Sequence, residues 1–230
     1  MKNIKSKEAI VLADLYSNSF LDVFRKYPDY MRKFEGKPFL EEVVKYLNNQ
    51  NVKRIVLCVG ANYKKIFNHF KNDYKDTKIV YSVTKRNLGT ANALLKALEY
   101  AIYDDVLYVD GRNLFKIDLN NLFGFHFEKN SFCTVATKHM KNFSKAYTIR
   151  TADNGRIVNI RKQKSVKSGH INTGICLIKR DILKGVEVSQ VKKFSFERDY
   201  LGKNYKSHPF FACSFKDEFV GVVNSKGVKI

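Results

Sequence analysis

The pattern of apolar and polar positions changes repeatedly along the first half of the chain. Short continuous apolar runs predict buried strands at Glu8–Ala13, Val52–Val59 and Val106–Val109, and an alternating pattern predicts a further strand at Thr77–Val83. Between these runs apolar side chains recur every three or four residues, which predicts helices over 39–47, 63–70 and 91–100. The segment Asp14–Asp22 predicts a loop that enters a further helix. Strands that alternate with helices are typical of βαβ units and of a parallel sheet.

The pattern changes after Ser131, where short strands follow one another. We predict strands at Phe132–Thr137, Ala146–Arg150, Ile157–Arg161, Asn172–Lys179 and, as two short pieces, within Phe210–Val223. The turn Asp153–Gly155 joins two of these strands, and its Asn-Gly pair predicts a type I′ hairpin turn. Helical segments are predicted at Arg180–Leu183 and Phe194–Leu201.

These elements predict one α/β unit over residues 1–230. We expect a mainly parallel, Rossmann-like sheet flanked by helices in residues 1–150 and a small β-rich extension in residues 151–230. Right-handed crossovers bring the ends of the first strands to one edge of the sheet, which the loops at Ala13, Gly60, Thr84 and Asp110 should share. Ligands of open α/β sheets bind at this edge, so we expect the functional site there.

The formal net charge of +20 changes this picture only in part. Such a field attracts polyanions, including nucleotides, phosphorylated sugars and RNA. The alternative is the ordinary solvated surface of a chain rich in lysine and asparagine, because charge concerns association rather than fold. The chain carries no recognisable RNA motif, and its tyrosines and phenylalanines follow core-like patterns. Nucleic acid is therefore a disfavoured partner.

The cysteines, the histidines and the apolar runs exclude several other classes of protein. The four cysteines are far apart, with no Cys-x-x-Cys pair, which indicates reduced core thiols in a cytoplasmic protein. The five histidines show no paired metal-ligand spacing. No apolar run approaches the roughly 18–20 residues that span a membrane. No long apolar segment follows the N-terminal lysines, so we expect neither a membrane partner nor a secretory signal.

Five short motifs follow one another along nearly the whole chain. They are Gly36–Glu41, Arg54–Gly60, Leu88–Thr90, Asp110–Leu119 and Asn172–Ile175. Their order and spacing resemble those of the sugar-1-phosphate nucleotidylyltransferases, especially the branch that makes GDP-manno-heptose. The resemblance implies an enzyme of sugar-nucleotide and surface-polysaccharide biosynthesis, which joins a sugar 1-phosphate to a nucleoside triphosphate and releases pyrophosphate.

The chain departs from this family at three of the family's catalytic features. These are a glycine-rich phosphate loop, cationic side chains, and carboxylates that hold Mg²⁺. The resemblance places the family's loop on Asp14–Ser19, which contains no glycine, and its phosphate-binding lysine on Asp29. The family's two metal-binding aspartates fall on Arg112 and Gly221, and its Glu-Lys pair falls near Lys162–Gln163. We therefore assign no metal ligand and expect Mg²⁺ as a cofactor only if the chain is catalytically active.

The resemblance nevertheless implies a set of site residues. Arg112 and Asp110, at the end of the central strand, are the catalytic candidates. Residues that would border the nucleotide are Ala13, Leu88, Gly89 and Thr90. The sugar-binding candidates are Asn172, Gly174 and Glu197, and the phosphate-binding candidates are Lys37 and Lys162.

Most of these residues also have a simpler interpretation. Arg112 is either a built-in cation that replaces Mg²⁺ at a phosphate or an exposed arginine on a loop. Asp110 either binds a metal or accepts the N–H groups of its own turn. Asn172 and Glu197 bind sugar hydroxyls, or Asn172 caps a strand end and Glu197 lies on a solvated helix face. The basic run Arg161–Lys167 holds a phosphate or forms a solvated hairpin end.

Three functions stay open. The first is an active transferase with a phosphate site rebuilt around Arg112 and Lys37. The second is a non-catalytic relative that binds a nucleotide sugar or sugar phosphate, as a homo-oligomer or as a regulatory partner of an active homologue. The third is a basic RNA-binding module. Removing one preorganised charged group from an active site lowers the reaction rate by a factor on the order of 10²–10³. The binding function is therefore kept as an alternative to the transferase function.

Overall fold

The computed structural model describes residues 7–13, 29–31, 33–34, 36–61, 63–84, 89–187 and 193–221. The predicted loop and helix at Asp14–Asp22 lie outside the described residues, and so does the nucleotide-binding candidate Leu88. None of the helices in the described part of the chain is both long and apolar enough to cross a membrane.

The described residues form twelve strands and five α-helices, and those of the first half of the chain follow the predicted order. The strands are β1 (Lys7–Leu12), β2 (Lys33–Phe34), β3 (Lys37–Pro38), β4 (Val52–Gly60), β5 (Asp73–Tyr74), β6 (Thr77–Thr84), β7 (Asp105–Asp110), β8 (Asn113–Phe115), β9 (Cys133–Thr151), β10 (Ile157–Lys179), β11 (Phe210–Phe215) and β12 (Phe219–Gly221). The α-helices are α1 (Phe39–Asn49), α2 (Lys64–Phe70), α3 (Thr90–Leu98), α4 (Leu119–Glu128) and α5 (Gly202–Asn204). A 3₁₀ turn covers Asp29–Met31, and a π-helix covers Phe196–Leu201.

One eight-stranded sheet forms the centre of the molecule, in the order β11-β9-β10-β7-β1-β4-β6-β5. Strands β7, β1, β4 and β6 are parallel. In chain order, α1 precedes β4, α2 lies between β4 and β6, and α3 lies between β6 and β7, as expected for parallel strands joined by helical crossovers. Strand β10 runs antiparallel to β7 and to β9, and β11 runs parallel to β9. The predicted α/β class, with a mainly parallel sheet and further C-terminal strands, is confirmed.

The carboxyl ends of the parallel strands meet at one edge, as predicted. Leu12 at the end of β1 lies opposite Cys58 on one side and Asp110 on the other. Two backbone hydrogen bonds continue beyond the strand ends. The N–H of Ala13 donates to the carbonyl of Cys58 over 2.9 Å, and the N–H of Gly111 donates to the carbonyl of Leu12 over 3.0 Å. The loops after β1 and β7 therefore begin side by side.

Two apolar cores lie on the two faces of this sheet. Helices α1, α2 and α4 cover one face, whereas α3 and the π-helix cover the other. Successive side chains of a strand point to opposite faces, so Leu107 and Val109 of β7 pack on the first face and Val106 and Tyr108 on the second. By the same alternation Asp110 lies on the face of Tyr108, α3 and the π-helix.

Strands β9 and β10 correct a prediction. Four separate short strands were expected here, but the two segments form one continuous two-stranded ribbon, in which β9 has 19 residues and β10 has 23. Its polar middle lacks the apolar pattern of a buried strand, yet its backbone groups still pair across the ribbon. Ile171 pairs with both Lys138 and Thr148, which means that the ribbon folds back along itself. The returning tip reaches β11, where the N–H of Ala212 donates to the carbonyl of Gly155.

The predicted type I′ turn at the ribbon tip is wrong. A type I′ turn needs two residues with positive φ, but of this pair only Gly155 has one, at +84°. The carbonyl of Ala152 accepts from the N–H of Gly155, and the N–H of Ala152 donates to the carbonyl of Arg156. The turn is therefore a three-residue loop with glycine in the left-handed position. The Asn154 side chain accepts from the N–H of Arg156 and so stabilises this alternative.

The two short C-terminal helical predictions have different outcomes. The helix at Phe194–Leu201 is confirmed over Phe196–Leu201, as a π-helix. The helix at Arg180–Leu183 is wrong, because this segment forms successive turns. The N–H of Ile182 donates to the carbonyl of Lys179, and the N–H of Lys184 donates to the carbonyl of Asp181. Four residues are too few to compensate for the cost of nucleating a helix.

A buried polar cluster ties α4 to the sheet at the end opposite the loops. His126 is 1% exposed; its Nε2 lies 2.9 Å from Asp105 Oδ1 and its Nδ1 lies 2.8 Å from Thr134 Oγ1. The Lys179 ammonium lies 2.8 Å from the same carboxylate oxygen. Burial by itself would raise the pKa of Asp105, but the hydrogen bonds from His126 and Lys179 outweigh it and lower that pKa below its ordinary value.

We expect this lowered pKa to make the free energy of unfolding depend on pH in the acidic range. The contribution of Asp105 is fully present above the ordinary carboxyl pKa of about 3.9 and is lost as the pH falls through the lower folded-state pKa. Asp105→Asn should lower the free energy of unfolding by about 1–3 kcal/mol at pH 7, and the difference from wild type should vanish in acid. Urea unfolding at a series of pH values measures it. Asp104→Asn, whose side chain is 85% exposed, is the matched control and should show neither effect.

Candidate functional site

The candidate site lies at the edge where β1 and β7 end. Asp110 is the last residue of β7 and is 7% exposed. Its Oδ1 accepts from the Arg112 backbone N–H over 3.1 Å and from Arg112 Nε over 3.0 Å. Its Oδ2 accepts from the Nη2 group of Arg112 over 2.7 Å. The two predicted catalytic residues therefore form a bidentate ion pair at the strand tip.

This pair has a defined electrostatic consequence. The Asp110 carboxylate raises the pKa of Arg112 well above its ordinary value, so the guanidinium stays charged. The Arg112 side chain is 48% exposed, whereas that of Asp110 is 10% exposed. A guanidinium has five N–H donors, and the carboxylate takes two of them. Among the described residues the other three have no acceptor, so they are candidate donors to an anion at this edge.

The carboxylates of the described residues do not fit a Mg²⁺ site. Both oxygens of Asp110 already accept hydrogen bonds from Arg112. No group of three or more His, Cys, Asp or Glu side chains in the described ranges is placed to hold a metal ion. Gly221, at the second metal position implied by the resemblance, lies opposite Asn113 in the β12–β8 pair and offers no ligand. Magnesium prefers several oxygen ligands in near-octahedral geometry, which this set does not supply.

Gly174 and Asn172 approach the ion pair from β10. The pairing of β10 with β9 shifts between Asn172 and Cys176, and Gly174 in this bulge has a φ of +83°. A Cβ atom on Gly174 would lie 2.9 Å from the Asp110 Cβ and 2.7 Å from Asn113 Nδ2. Asn172 Oδ1 accepts from the Gly174 N–H over 2.8 Å. The structure therefore brings the two sugar-binding candidates of β10 beside the strand tip, with the Asn172 side chain turned onto its own backbone.

The Glu197 carboxylate accepts hydrogen bonds from three hydroxyl groups of the protein. Its Oε1 accepts from the Tyr108 hydroxyl over 2.9 Å, and its Oε2 accepts from the hydroxyls of Thr90 over 3.2 Å and Ser195 over 3.0 Å. Burial raises the pKa of Tyr108, and the Glu197 carboxylate raises it further, so the phenol stays protonated and donates. Glu197 thus lies in a half-buried network and not on a solvated helix face.

The start of α3 holds the segment that carries Glu197. The Thr90 hydroxyl accepts from the N–H of Phe196 over 2.7 Å, and the N–H of Ala91 donates to the carbonyl of Phe194 over 3.1 Å. Gly89, just before this helix, lies directly against the Phe194 backbone. Two of the nucleotide-binding candidates are therefore neighbours of the sugar-side carboxylate. Ala13, the third described one, is buried at the end of β1 beside Cys58.

The two phosphate-binding lysines have different surroundings. The Lys37 ammonium forms an ion pair with Glu41 over 3.2 Å, and its side chain is 55% exposed at the start of α1. Helix α1 packs on the face of the sheet opposite to α3, so Lys37 is not joined to the Glu197 network. The Lys162 ammonium lies 5.8 Å from the ring centroid of Tyr147, and Tyr147 in turn lies against the Ser195 segment.

Sequence reasoning missed four residues of this site: Tyr108, Asn113, Tyr147 and Ser195. Two of them had a usable signal. Tyr108 lies two residues before Asp110, and the period of a strand puts both side chains on one face. Tyr147 lies opposite Lys162 in the ribbon, which a correct hairpin register would have shown. Asn113 had no such signal, because its partner Thr173 lies 60 residues away. Ser195 lies only two residues before Glu197, but no pattern singled out that contact.

Comparisons with known proteins agree with this architecture. A family model described as Nucleotidyl transferase matches residues 23–203. The D-glycero-alpha-D-manno-heptose 1-phosphate guanylyltransferases of Aneurinibacillus thermoaerophilus and Campylobacter jejuni are 31% and 30% identical over 215 residues, which cover 94% of this chain and 92% and 94% of theirs. The crystal structure of HddC from Yersinia pseudotuberculosis superposes with a TM-score of 0.78 at 22% identity, covering 94% of this chain and 93% of that one. A complex of that protein with GMP-PN superposes equally well.

Proposed function

The chain belongs to the nucleotidyl transferase family, and from this premise we propose that it transfers a nucleotidyl group to a sugar 1-phosphate at the Asp110 edge. The predicted membership of the sugar-1-phosphate nucleotidylyltransferases is confirmed, and with it a role in sugar-nucleotide biosynthesis. The names of the two guanylyltransferase relatives make GTP and D-glycero-α-D-manno-heptose 1-phosphate the proposed substrates. A cytoplasmic location, where nucleoside triphosphates are available, is part of the proposal.

The observation that supports this proposal is the anchored guanidinium of Arg112. Asp110 holds it through two side-chain hydrogen bonds at the carboxyl end of a central strand, where open α/β sheets bind ligands. Its three remaining donors suit the oxygens of a phosphate. The +20 charge of the chain attracts a triphosphate toward this edge.

The chemistry consists mainly of positioning and charge neutralisation. An oxygen of the sugar phosphate attacks the α-phosphorus of the nucleotide, a new P–O bond forms, and the bond to the β-phosphate oxygen breaks to release pyrophosphate. Arg112 stabilises the negative charge that accumulates on the α-phosphate oxygens. Gly174 lets the ribbon approach Asp110 closely, so that Asn172 borders the same space. Because the described carboxylates do not fit Mg²⁺, no step is assigned to a protein-bound metal.

One observation favours a second candidate, a non-catalytic protein that binds a nucleotide sugar. The carboxylate that remains at the strand tip is occupied by Arg112, and Gly221 replaces the other one that the resemblance implies. A guanidinium that binds a product diphosphate without a metal would suit a regulatory partner of an active homologue, or one subunit of a homo-oligomer. The Glu197 network and Asn172 would serve either function equally.

Pyrophosphate release separates the two candidates. With GTP and D-glycero-α-D-manno-heptose 1-phosphate, we expect the transferase to release pyrophosphate and form GDP-heptose, detected by a coupled phosphatase assay and by mass spectrometry. The binding protein would release none but would bind GDP-heptose with the same Kd in Mg²⁺ and in EDTA, measured by calorimetry. Absence of both turnover and binding, across the common nucleotides and sugar phosphates, would contradict the family function for this chain.

A further inference from the structure

The returning ribbon encloses a cleft that the proposed transferase does not use. The outbound and returning limbs of β9 and β10 form its walls, and β11 contributes Ala212 and Ser214. Its volume is about 440 Å³, which lies within the range of small-molecule sites. Arg150 and Gln163 line it, together with Thr151, Ser168 and His170.

The charged and amide side chains of the cleft, Arg150 and Gln163, lie on the face of the ribbon opposite to Tyr147. Tyr147 and Lys162 are paired across the ribbon, and Tyr147 packs toward the π-helix. Thr148 and Arg150 alternate with Tyr147 and Ile149 along β9, so their side chains point to the opposite face. The Arg150 and Gln163 side chains are therefore directed away from the Glu197 network, whereas Ile149 and Thr151 reach the cleft from the face of Tyr147.

Some polar side chains near the cleft are held by hydrogen bonds, and others have donors that make none. Ser168 Oγ lies 2.9 Å from His139 Nε2, and Ser214 Oγ lies 3.3 Å from His170 Nδ1, while the two imidazole rings are 5.2 Å apart. These contacts orient one wall. Within the described part of the chain, the side chains of Arg150 and Gln163 make no hydrogen bond or ion pair. A cation and an amide with unused donors thus share one concave surface.

The charge of the ribbon favours an anion. Residues 133–179 contain ten lysines and arginines and one acidic residue, Asp153, which lies in the tip turn. None of the described residues that line the cleft is acidic. Burial lowers the pKa of His170, and the neighbouring His139 lowers it further, so at neutral pH this imidazole is an uncharged hydrogen-bonding group. Arg150 is then the formal charge that faces the ligand.

We propose that this cleft is a second binding site, for a small phosphorylated polyol such as a sugar phosphate. The Arg150 guanidinium contacts the phosphate, because its planar fork matches two phosphate oxygens. Gln163 and the hydroxyl-bearing wall contact the sugar hydroxyls. Binding at this site does not require turnover at the Asp110 edge, so the proposal stands apart from the transferase function.

Proton NMR of the five histidine rings gives a local test. The His170 signal, assigned with His170→Gln, is followed during titration with glucose 1-phosphate, inorganic phosphate and glucose. We expect glucose 1-phosphate to move this signal with saturation, inorganic phosphate to bind more weakly, and glucose to have no effect. Arg150→Ala should weaken the binding of glucose 1-phosphate about tenfold to a hundredfold.

Lys141→Ala is the matched control, because Lys141 is exposed on the same ribbon but does not line the cleft. It should leave the titration unchanged. An unmoved His170 signal, an equal effect of the two variants, or equal affinity for phosphate and glucose 1-phosphate would each overturn the proposal. Failure of the transferase function would appear as absent pyrophosphate release with this titration intact.

Discussion

Arg112→Ala should lower kcat/KM for pyrophosphate release by about 10²–10³-fold, which is the usual effect of removing one preorganised charge from such a site. The variant removes the cation that we propose to contact the phosphates. It also leaves the Asp110 carboxylate without its bidentate partner, so that a negative charge repels the substrate at the same edge. Coupled-assay kinetics with GTP varied at saturating sugar phosphate measure the loss. For a purely binding protein, the same variant should weaken GDP-heptose binding without dependence on Mg²⁺.

Three further variants make this result specific. Lys116→Ala removes an exposed cation four residues away and should change kcat/KM little. Arg112→Lys keeps the charge but loses the fork that binds two oxygens, so we expect an intermediate rate. Adding Asp110→Asn to Arg112→Ala removes the unpaired negative charge and should recover part of the loss. If Arg112→Ala and Lys116→Ala had equal kinetics, the assignment of Arg112 to the phosphates would be wrong.

Gly174→Ala should lower the free energy of unfolding by about 2–5 kcal/mol, since two costs act together. An L-residue at a φ of +83° is strained, and the added methyl group would overlap Asn113 Nδ2 and approach the Asp110 Cβ. The atoms that must move carry the Asp110–Arg112 pair, so activity or ligand binding should fall as well. Urea unfolding followed by circular dichroism measures the stability.

Gly185→Ala separates the two costs. Gly185 has a similar φ of +74°, but a Cβ atom there meets no other atom within 4 Å. We expect it to cost only about 1–2 kcal/mol and to leave activity unchanged. Equal destabilisation by the two substitutions would show that Gly174 is needed for its backbone conformation alone and that the close approach to Asp110 is unimportant.

Local patterns were sufficient for the parallel half of the fold. The apolar runs of β1, β4 and β7 are mostly buried on both faces, and such strands are recognised without knowledge of their neighbours. Strand β6, in which Lys78 is exposed, was recognised from its alternating pattern instead. The handedness of crossovers then placed Asp110 and Ala13 at one edge. The ordered motifs carried the family resemblance, since short motifs keep their order when the rest of a chain varies.

The ribbon could not be predicted in the same way. Its middle is polar on both faces, so neither alternation nor apolar periodicity marks it as strand. The pairing of β9 with β10 satisfies its backbone there, and that pairing depends on a register set by the tip turn. The cleft between the limbs follows from the folding back of the ribbon, a long-range event that leaves no local signal.

By itself the sequence determined the class of fold and predicted the edge of the candidate site. Through the family resemblance it also predicted that the family's metal carboxylates are replaced at positions 112 and 221. Tertiary structure alone decided which partners each candidate side chain has. It turned Arg112 back onto Asp110, tied Glu197 to Tyr108, Thr90 and Ser195, and left Lys37 with Glu41. The physical reason is that a charged side chain takes its role from the partners within hydrogen-bond reach. For Glu197 two of those partners lie about a hundred residues away along the chain.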